Sequence, residues 1–278
     1  MEEDRSEVAR REAQALCRRI LEDGLPEEAE LIYSGRNRLY AVPLKCGVTA
    51  NVKVFKRPGA LRGIIYGVFA RPKSLKSFVN ARRLLSLGIS TPEPLAHLEE
   101  RIWGGLRFAR SCYVCVHVKD AEEIRCWENR ADRDELVDAL GREMARLTEA
   151  GVLFRDFSPG NVLLKQDRRT TPTHLDRSNL ENGSMLSDAS RHGYAFTFVD
   201  VNRTDFNVRS RRRMMTMFRR INIVPEETAR LARAYARALG EDERAMETAA
   251  LKTLRRFLWK KDILLATLKK LIRPFRRK

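Results

Sequence analysis

The sequence predicts an α+β fold with two lobes: a small lobe built on an antiparallel sheet with one main helix, and a larger, mostly helical lobe. Short alternating stretches rich in β-branched residues occupy the first 120 residues. Stretches with helical periodicity occupy most of the remainder. With 278 residues, 43% of them hydrophobic, the chain is long enough for such a two-lobed unit and its core. We therefore assign residues 1–120 to the small lobe and 121–278 to the large one.

The small lobe is predicted to contain a leading helix followed by the order β-β-β-α-β-β. The leading helix is expected to bury one face that carries Val8, Ala15, Leu16, Ile20 and Leu21. The second helix is followed by Gly88, and the Thr-Pro-Glu-Pro sequence after it cannot continue a helix. The predicted ranges are 5–22 for the first helix, 31–40 and 48–55 for strands, 77–87 for the second helix, and 106–108 and 112–118 for the last strands.

The large lobe is predicted to begin with a long amphipathic helix. Four apolar residues align on one face of this helix: Leu136, Leu140, Met144 and Leu147. Residues 166–192 are polar and lack apolar periodicity, which predicts an insertion between two strands. Helices are predicted from Asp200 to the C-terminus. The other predicted ranges are 133–150 for the long helix, 156–161 for a loop, and 162–165 and 195–199 for strands.

The net charge of +17 is concentrated in the C-terminal part of the chain. Between Val201 and Lys278 there are 22 lysines and arginines and 8 acidic residues, which accounts for +14 of that charge. Such a local charge attracts polyanions: nucleic acid, an anionic membrane surface or a phosphorylated acceptor. Aromatic residues make up 8% of the chain and do not cluster among the basic ones, so we expect no nucleic-acid partner.

The cysteines and the N-terminus predict a reduced, cytoplasmic compartment. Five cysteines, an odd number in a chain of this length, do not indicate a disulfide framework. Cys112 and Cys115 form a C-x-x-C within a predicted strand, where residues three apart point to opposite faces. We interpret them as packing residues rather than as metal ligands or a redox pair. The first eleven residues contain no apolar signal segment, and no run of 18 apolar residues follows.

The strongest functional motif is the sequence Phe154-Arg155-Asp156-Phe157-Ser158-Pro159-Gly160-Asn161. Asp156 and Asn161 stand five residues apart in a loop between a helix and a strand, and Pro159 and Gly160 favour a tight path. This spacing suits an aspartate that faces an acceptor hydroxyl and an asparagine that reaches a metal ion, as in the kinase pattern H-R-D-x-x-x-x-N. The alternative is an ordinary turn built from Asp, Asn, Pro and Gly.

Two further motifs supply the other groups that phosphoryl transfer from ATP requires. A hydrophobic strand ends at Asp200, where a carboxylate can hold Mg²⁺; the alternative is an aspartate that merely ends a strand. Lys53 lies in a β-branched strand, which suits a lysine that binds phosphates; the alternative is a solvent-facing lysine on an edge strand. Lys56 has the opposite strand parity, and we select Lys53 because Val52-Lys53 matches the end of V-A-I-K.

Five segments in this order resemble the lipopolysaccharide core sugar kinase family, the Kdo and heptose kinases of the protein-kinase-like superfamily. The segments are 32–37, 52–58, 85–94, 155–161 and 199–203. Asp-Phe-Ser-Pro-Gly-Asn together with Asp-Val-Asn-Arg is the specific part, and the resemblance extends over residues 31–240. It implies a protein-kinase-like fold, ATP and Mg²⁺ as cofactors, and a sugar hydroxyl of a lipid-linked core as acceptor.

The resemblance also implies roles for individual residues. Lys53 would hold the ATP phosphates, Asp156 would orient the acceptor hydroxyl, and Asn161 and Asp200 would bind Mg²⁺ and, through it, the nucleotide. The nucleotide-binding loop of the small lobe would be formed by Ser34, Gly35, Arg36 and Asn37.

The sequence departs from the kinase pattern at three places. Phe154 replaces the usual histidine of the catalytic loop. The helix over 77–87 has no acidic residue to pair with Lys53, for which Asn80 is a weaker candidate. Gly35 is the single glycine of the nucleotide loop, where protein kinases have three.

Basic residues after Asp200 either form a solvated face or bind acidic groups of the acceptor. The candidates for acceptor binding are Arg203, Arg211, Arg212 and Arg213, with Arg219 and Arg220 following them. The segment 251–278 predicts a basic amphipathic helix. This helix either lies on an anionic membrane or packs its first half on the large lobe, with residues 273–278 exposed.

Three functions remain open from the sequence. The first is transfer of the γ-phosphoryl group of ATP to a Kdo or heptose hydroxyl, in the cytoplasm at the inner face of the inner membrane. The second is a protein kinase on the same scaffold, although no A-P-E element follows Asp200. The third is a catalytically weak or dead module that binds anionic lipid or RNA. The presence of all three polar motifs argues against the third, and the sequence does not specify an oligomeric state.

Overall fold

The computed structural model describes residues 2–35, 37–55, 72–102, 107–166, 194–221 and 224–272. The chain divides into two compact units. The first unit comprises Met1–Ala121 and Thr197–Arg203, and the second comprises Glu122–Phe196 and Thr204–Lys278. A short segment around Asp200 therefore belongs to the first unit although in sequence it stands between the two halves of the second. The insertion predicted over 166–192 lies outside the described residues, apart from Gln166.

The described part of the first unit follows the predicted order of one leading helix and then β-β-β-α-β-β. Its strands form one antiparallel sheet in the order β1-β2-β3-β5-β4, which confirms the predicted sheet. The elements are α1 (Glu2–Glu22), β1 (Glu30–Ser34), β2 (Arg38–Pro43), β3 (Thr49–Phe55), α2 (Lys73–Ser86), β4 (Pro94–Ile102), β5 (Arg107–Val116) and a 3-10 turn (Val201–Arg203).

The last two strands differ from the prediction. Residues 107–108 and 112–116, predicted to lie in two separate strands, belong to the single strand β5, and the predicted residues 117–118 lie beyond its end. The other strand is β4, which the sequence pattern did not indicate because it begins at a proline and carries Glu99, Glu100 and Arg101. Charged residues of this kind are common in a strand that lies at the edge of a sheet, as β4 does.

The two faces of this sheet carry different side chains. Val52 and Val114 lie in a core cluster that includes Leu16 and Ile20 of α1. Phe55, Tyr113 and Cys115 form a separate buried cluster, against which Phe78 of α2 packs. Because Lys53 pairs directly with Tyr113 across β3 and β5, it lies on the same face as this second cluster.

The C-x-x-C motif follows this alternation. Cys112 lies in the cluster that contains α1, whereas Cys115 lies in the cluster on the opposite face. Both side chains are buried, and burial raises the pKa of the Cys115 thiol to about 12. The interpretation of these cysteines as packing residues is confirmed, because two thiols on opposite faces of a strand do not meet at one metal ion.

The buried face of α1 is rotated from the predicted one. Leu16, Ile20 and Leu21 are buried as predicted. Val8 and Ala15 are exposed, and the helix instead turns small residues toward the sheet: Ala9, Ala13 and Cys17. Small side chains allow a close approach between helix and strand, and this packing requirement outweighs the larger apolar surface of Val8.

The described part of the second unit is mostly helical, as predicted. Its strands form a three-stranded sheet in the order β6-β8-β9 and a separate pair of β7 with β10. The elements are β6 (Glu122–Glu123), a 3-10 turn (Ile124–Asn129), α3 (Arg133–Glu149), β7 (Leu153–Phe154), a 3-10 turn (Pro159–Asn161), β8 (Val162–Gln166), β9 (Tyr194–Phe198, whose last two residues belong to the first unit), β10 (Thr204–Asp205), α4 (Arg211–Met214), a 3-10 turn (Met215–Arg219), α5 (Pro225–Ala238) and α6 (Glu243–Ile272).

Helices α3, α5 and α6 form the core of the second unit. The four residues predicted to face inward on α3 are all fully buried, which confirms the predicted amphipathic face. Helix α3 packs against α5, and α5 packs against α6. Helices α3 and α5 approach each other closely at Gly141, where an added Cβ atom would lie 2.7 Å from Ala234 Cβ and 2.8 Å from the Leu231 carbonyl oxygen.

We predict that Gly141→Ala lowers the free energy of unfolding by about 1–3 kcal/mol, because the added methyl group forces the two helices apart. Urea denaturation measures this loss. Adding Ala234→Gly removes one of the two clashing atoms, so the double variant should lose less than the sum of the two single changes. Strict additivity, or a fully stable Gly141→Ala variant, would contradict this close helix crossing.

The C-terminal helix α6 changes character along its length. Met246, Ala250 and Leu254 are buried, so packing on the large lobe reaches only the start of the predicted segment 251–278, and residues 258–263 of its first half are exposed. Trp259 is 63% exposed and Leu258 is 41% exposed. Residues 273–278, predicted to be exposed, lie outside the described residues. Among the helices that the structure describes, none combines the length and apolar character needed to cross a membrane.

Candidate phosphotransfer site

Lys53 and Asp200 form an ion pair within the first unit. The distance from Lys53 Nζ to Asp200 Oδ1 is 2.5 Å, and the two side chains are 12% and 32% exposed. Lys53 Nζ also lies 5.5 Å from the centroid of the Phe55 ring. The two charged residues are 147 positions apart in the chain, so the fold brings together a cation and a carboxylate that the sequence identified separately.

Asp200 has a backbone conformation that suits a fixed carboxylate. Strand β9 ends at Phe198, and a 3-10 turn begins at Val201. Between them, Asp200 adopts a φ of 54°, in the left-handed region that aspartate tolerates better than most residues. The Asn202 side-chain amide donates a hydrogen bond to Asp200 Oδ1 over 2.5 Å. Asn202 stands in the Asp-Val-Asn-Arg motif, but the sequence pattern predicted no role for it.

The segment that follows α2 holds this strand end in place. The Thr91 hydroxyl donates to the Phe198 carbonyl over 2.7 Å, and the Phe198 N–H donates to the Ser90 carbonyl over 2.9 Å. Asn80 of α2 donates from its amide nitrogen to the Val201 carbonyl over 2.9 Å. The prediction of Asn80 as a partner of Lys53 is therefore wrong, because its amide binds the backbone beside Asp200 instead.

The predicted nucleotide loop is the tip of the β1–β2 hairpin. Ser34 ends β1, and the Gly35 N–H donates to the Asn37 carbonyl over 3.2 Å. A Cβ atom at Gly35 would lie 2.6 Å from the hydroxyl oxygen of Tyr33, so the tyrosine side chain as placed requires a glycine there. Arg36, the remaining member of this predicted loop, lies outside the described residues.

The catalytic-loop motif forms a compact turn within the second unit. The Asn161 side-chain amide donates to the Asp156 carbonyl over 2.9 Å, and the Ser158 N–H donates to the same carbonyl over 2.8 Å. Phe157 is almost fully buried and anchors the loop. Phe154, which replaces the kinase histidine, is buried in β7 and pairs with Thr204 of β10. The structure thus brings Asp156 and Asn161 together, as their spacing predicted.

Asp156 has an arginine partner that its own motif does not contain. Arg220 Nη1 lies 2.6 Å from Asp156 Oδ1, and the two residues are 64 positions apart. Arg220 belongs to a basic run, and the sequence pattern predicted no contact with Asp156. No local spacing predicts this pair, because the contact depends on the tertiary fold that brings residue 220 next to the catalytic loop.

The predicted acceptor-binding arginines divide into two groups. Arg211 donates to the Tyr235 hydroxyl over 3.2 Å and is also paired with Glu241. Arg213 donates to Asp205 over 2.5 Å. These two side chains therefore have partners within their own unit. Arg203, Arg212 and Arg213 are exposed, whereas Arg211 is half-buried.

The oxygen atoms of Asp200 and Asn161 fit the requirements of Mg²⁺, which prefers carboxylate and amide oxygens. Asp200 Oδ1 accepts the hydrogen bonds from Lys53 and Asn202, while Oδ2 has no hydrogen-bond donor among the described residues. Asn161 uses its amide nitrogen within the loop, so its side-chain oxygen is the atom left for a cation. Each unit thus offers one oxygen ligand of the type that the ion requires.

Comparisons with known proteins address the fold and the family. The model of the Lipopolysaccharide kinase (Kdo/WaaP) family matches residues 61–183. The solved structure of WaaP in complex with acyl carrier protein has a TM-score of 0.52 at 15% identity, over 88% of this chain and 95% of that chain. The Rio2 kinase–ADP/Mg²⁺–phosphoaspartate complex from Chaetomium thermophilum has a TM-score of 0.46 at 15% identity, over 83% and 64%. No curated protein matches the sequence.

The fold and the family match define the class of this protein as a phosphotransferase with a protein-kinase-like fold, which confirms both predictions. Within that class, the chain is similar to the Lipopolysaccharide kinase (Kdo/WaaP) family, and the predicted resemblance is confirmed. Asp156 and Asn161 lie inside the matched segment, whereas Lys53 and Asp200 lie outside it.

Proposed function

We propose that this protein transfers the γ-phosphoryl group of ATP to a Kdo or heptose hydroxyl of a lipopolysaccharide core. The observation that carries the proposal is the ion pair of Lys53 with Asp200. A half-buried lysine beside a carboxylate at the end of a strand is the pair that kinases use to hold ATP phosphates and their metal ion. The match to the lipopolysaccharide kinase family supports the choice of acceptor.

In this proposal, the first unit binds the nucleotide. Lys53 would donate hydrogen bonds to ATP phosphate oxygens, and the predicted nucleotide loop, Ser34, Gly35, Arg36 and Asn37, would contact the phosphates. Asp200 and Asn161 would hold Mg²⁺, and the bound ion supplies positive charge next to the β- and γ-phosphates. Lys53, which contacts Asp200 in the structure, would be the cation for the phosphates, and the Asp200 carboxylate would be the ligand for the metal ion.

Asp156 carries out the proton chemistry in this proposal. Its carboxylate accepts a hydrogen bond from the acceptor hydroxyl and then takes its proton. The hydroxyl oxygen forms a bond to the γ-phosphorus as the bond from that phosphorus to the bridging oxygen breaks, and ADP leaves. The contacts of Asn161 and Ser158 with the Asp156 carbonyl keep the loop in one conformation during this step.

The exposed side chains of residues 255–263 in α6, Phe257 excepted, suit peripheral contact with an anionic membrane, where a lipid-linked acceptor is found. We propose that this helix lies on the inner face of the inner membrane, with aromatic and aliphatic side chains inserted and basic ones at the lipid head groups. The exposed side chains that form this α6 surface are Arg255, Arg256, Leu258, Trp259, Lys260, Lys261 and Ile263.

We predict that Trp259→Ser weakens binding to phosphatidylglycerol vesicles about tenfold, because a large apolar side chain no longer inserts. Vesicle flotation measures the bound fraction. Val224→Ser is a matched control, since Val224 is 51% exposed but stands at the start of α5 rather than on α6. Equal losses in the two variants, or binding unchanged by Trp259→Ser, would exclude this role of the α6 surface.

The experiment that tests the proposed function is transfer of radiolabel from γ-labelled ATP. The acceptors are dephosphorylated lipopolysaccharide core, a generic protein substrate and water. The expected result is label on the core sugar, dependent on Mg²⁺, with little label on protein and slow hydrolysis. Label on the protein instead would favour a protein kinase. Absence of transfer to any acceptor, together with absence of ATP binding, would favour a binding module.

A further inference from the structure

The ion pair between Asp156 and Arg220 lies at the proposed reacting group but belongs to none of the roles above. Arg220 Nη1 is 2.6 Å from Asp156 Oδ1, and the side chains are 45% and 25% exposed. Arg220 directly follows the 3-10 turn Met215–Arg219. The cation therefore reaches the catalytic loop from a separate part of the same unit.

Buried neighbours place the backbone of Arg220. Phe218 and Ile221, on either side of the Arg219–Arg220 pair, are fully buried. The Phe218 ring also makes an edge-to-face contact with Tyr235 of α5, with 5.4 Å between ring centroids. Arg219 and Arg220 are both exposed, yet it is Arg220 that reaches Asp156. An arginine held by two buried anchors has a more restricted reach than one in a mobile surface loop.

A contribution to stability alone does not account for this pair. An exposed ion pair contributes about 0–1 kcal/mol to folding, because solvent screens the charges and two long side chains lose freedom. By contrast, the rate of a reaction falls steeply when a carboxylate that must contact the reacting hydroxyl is misplaced by about 1 Å. Fixing the position of Asp156 therefore affects catalysis far more than it affects stability.

We propose that Arg220 is a positioning residue for phosphoryl transfer, acting by holding the Asp156 carboxylate in the orientation that receives the acceptor hydroxyl. This inference rests on the proposed role of Asp156 as the proton acceptor. The guanidinium keeps its own protons throughout, and the proton of the hydroxyl passes to Asp156. Because Arg220 acts through Asp156, its effect should appear in the turnover step and not in nucleotide binding.

The test compares Arg220→Ala, Arg220→Lys and Arg219→Ala in the transfer assay with dephosphorylated lipopolysaccharide core. Arg220→Ala should lower kcat by about 10- to 100-fold with KM for ATP changed less than about twofold. Arg220→Lys keeps a cation and should recover part of the loss. Arg219→Ala removes the same charge one residue away without removing a contact with Asp156, so it should lower kcat far less than Arg220→Ala does. Melting temperatures of the three variants should agree within a few degrees, since an exposed pair contributes little.

A second comparison links the effect to Asp156. Adding Arg220→Ala to Asp156→Ala should lower kcat no further, because the group that Arg220 positions is already absent. Arg220→Ala turnover equal to that of Arg219→Ala would overturn the proposal, and faster turnover would instead identify an inhibitory contact. If wild-type protein transferred no phosphate to the core, the proposed function would fail and this role would fail with it. Transfer by the wild type with no effect of Arg220 would reject only the positioning role.

Discussion

Asp156→Ala is expected to lower kcat for phosphoryl transfer at least about 100-fold, because a general base contributes about 10²- to 10⁴-fold to such reactions. The substitution removes the carboxylate and leaves the backbone carbonyl that Asn161 and Ser158 bind, so the loop keeps its turn. ATP affinity should change little, because the Lys53–Asp200 pair belongs to the first unit and does not involve Asp156. Steady-state kinetics and calorimetry measure these two quantities.

The control for Asp156→Ala is a carboxylate of the same unit that has no part in the proposed site. Asp134 is 75% exposed and pairs with Arg230 on the helical surface. Asp134→Ala removes the same side-chain charge and should keep wild-type turnover. Wild-type turnover in Asp156→Ala would refute the assignment of the proton acceptor, and equal losses in both variants would point to a general effect of charge.

Local features of this molecule were predictable from the sequence. Asp156 and Asn161 are five residues apart, and a loop of that length brings the two ends together through its own hydrogen bonds. The buried face of α3 was also correct, because four large residues at helical spacing compete with no alternative face. Both features depend on contacts between residues that are close in the chain.

Features set by tertiary packing were not predictable in the same way. Neither the pairing of Lys53 with Asp200 nor that of Arg220 with Asp156 follows from any local period, since 147 and 64 positions separate the partners. The buried face of α1 depends on which residues contact the sheet. The small residues Ala9 and Ala13 lie there, whereas Val8 and Ala15, which were predicted to be buried, are exposed. In both cases the residues that meet are far apart in the chain, so no local sequence pattern indicates the contact.

The pairing of Lys53 with Asp200 bears on the absence of an acid in α2. In protein kinases, a glutamate of the corresponding helix orients the lysine. Here α2 supplies Asn80, which binds the Val201 carbonyl and so holds the backbone next to Asp200. The helix thus acts on the segment that carries the carboxylate, and the carboxylate binds the lysine. This arrangement gives Lys53 a charged partner without a helical glutamate.

Among substitutions in the first unit, we expect the largest effect from replacing Asp200, because Lys53 and the proposed metal site both depend on its carboxylate. Asp200→Ala should abolish Mg²⁺-dependent ATP binding, because it removes both the partner of Lys53 and one proposed oxygen ligand of the ion. In wild-type protein, ATP with Mg²⁺ at 100 times its Kd should stabilise the fold by about 2.7 kcal/mol, which is measurable as a rise in melting temperature. In Asp200→Ala this rise should disappear, and calorimetry should show no metal-dependent heat of binding.

Asp23→Ala is the matched control in the same unit, since Asp23 is exposed and directly follows α1, which packs on the face of the sheet opposite Lys53. It should retain the wild-type rise. A metal-dependent rise that survives Asp200→Ala would refute the proposed metal ligand while leaving the kinase class intact. A wild-type protein that binds no ATP with Mg²⁺, but binds RNA or anionic vesicles in a salt-dependent manner, would instead indicate the basic binding module. Because the two units contribute different groups, loss of binding in Asp200→Ala combined with loss of turnover alone in Asp156→Ala would separate nucleotide binding from catalysis.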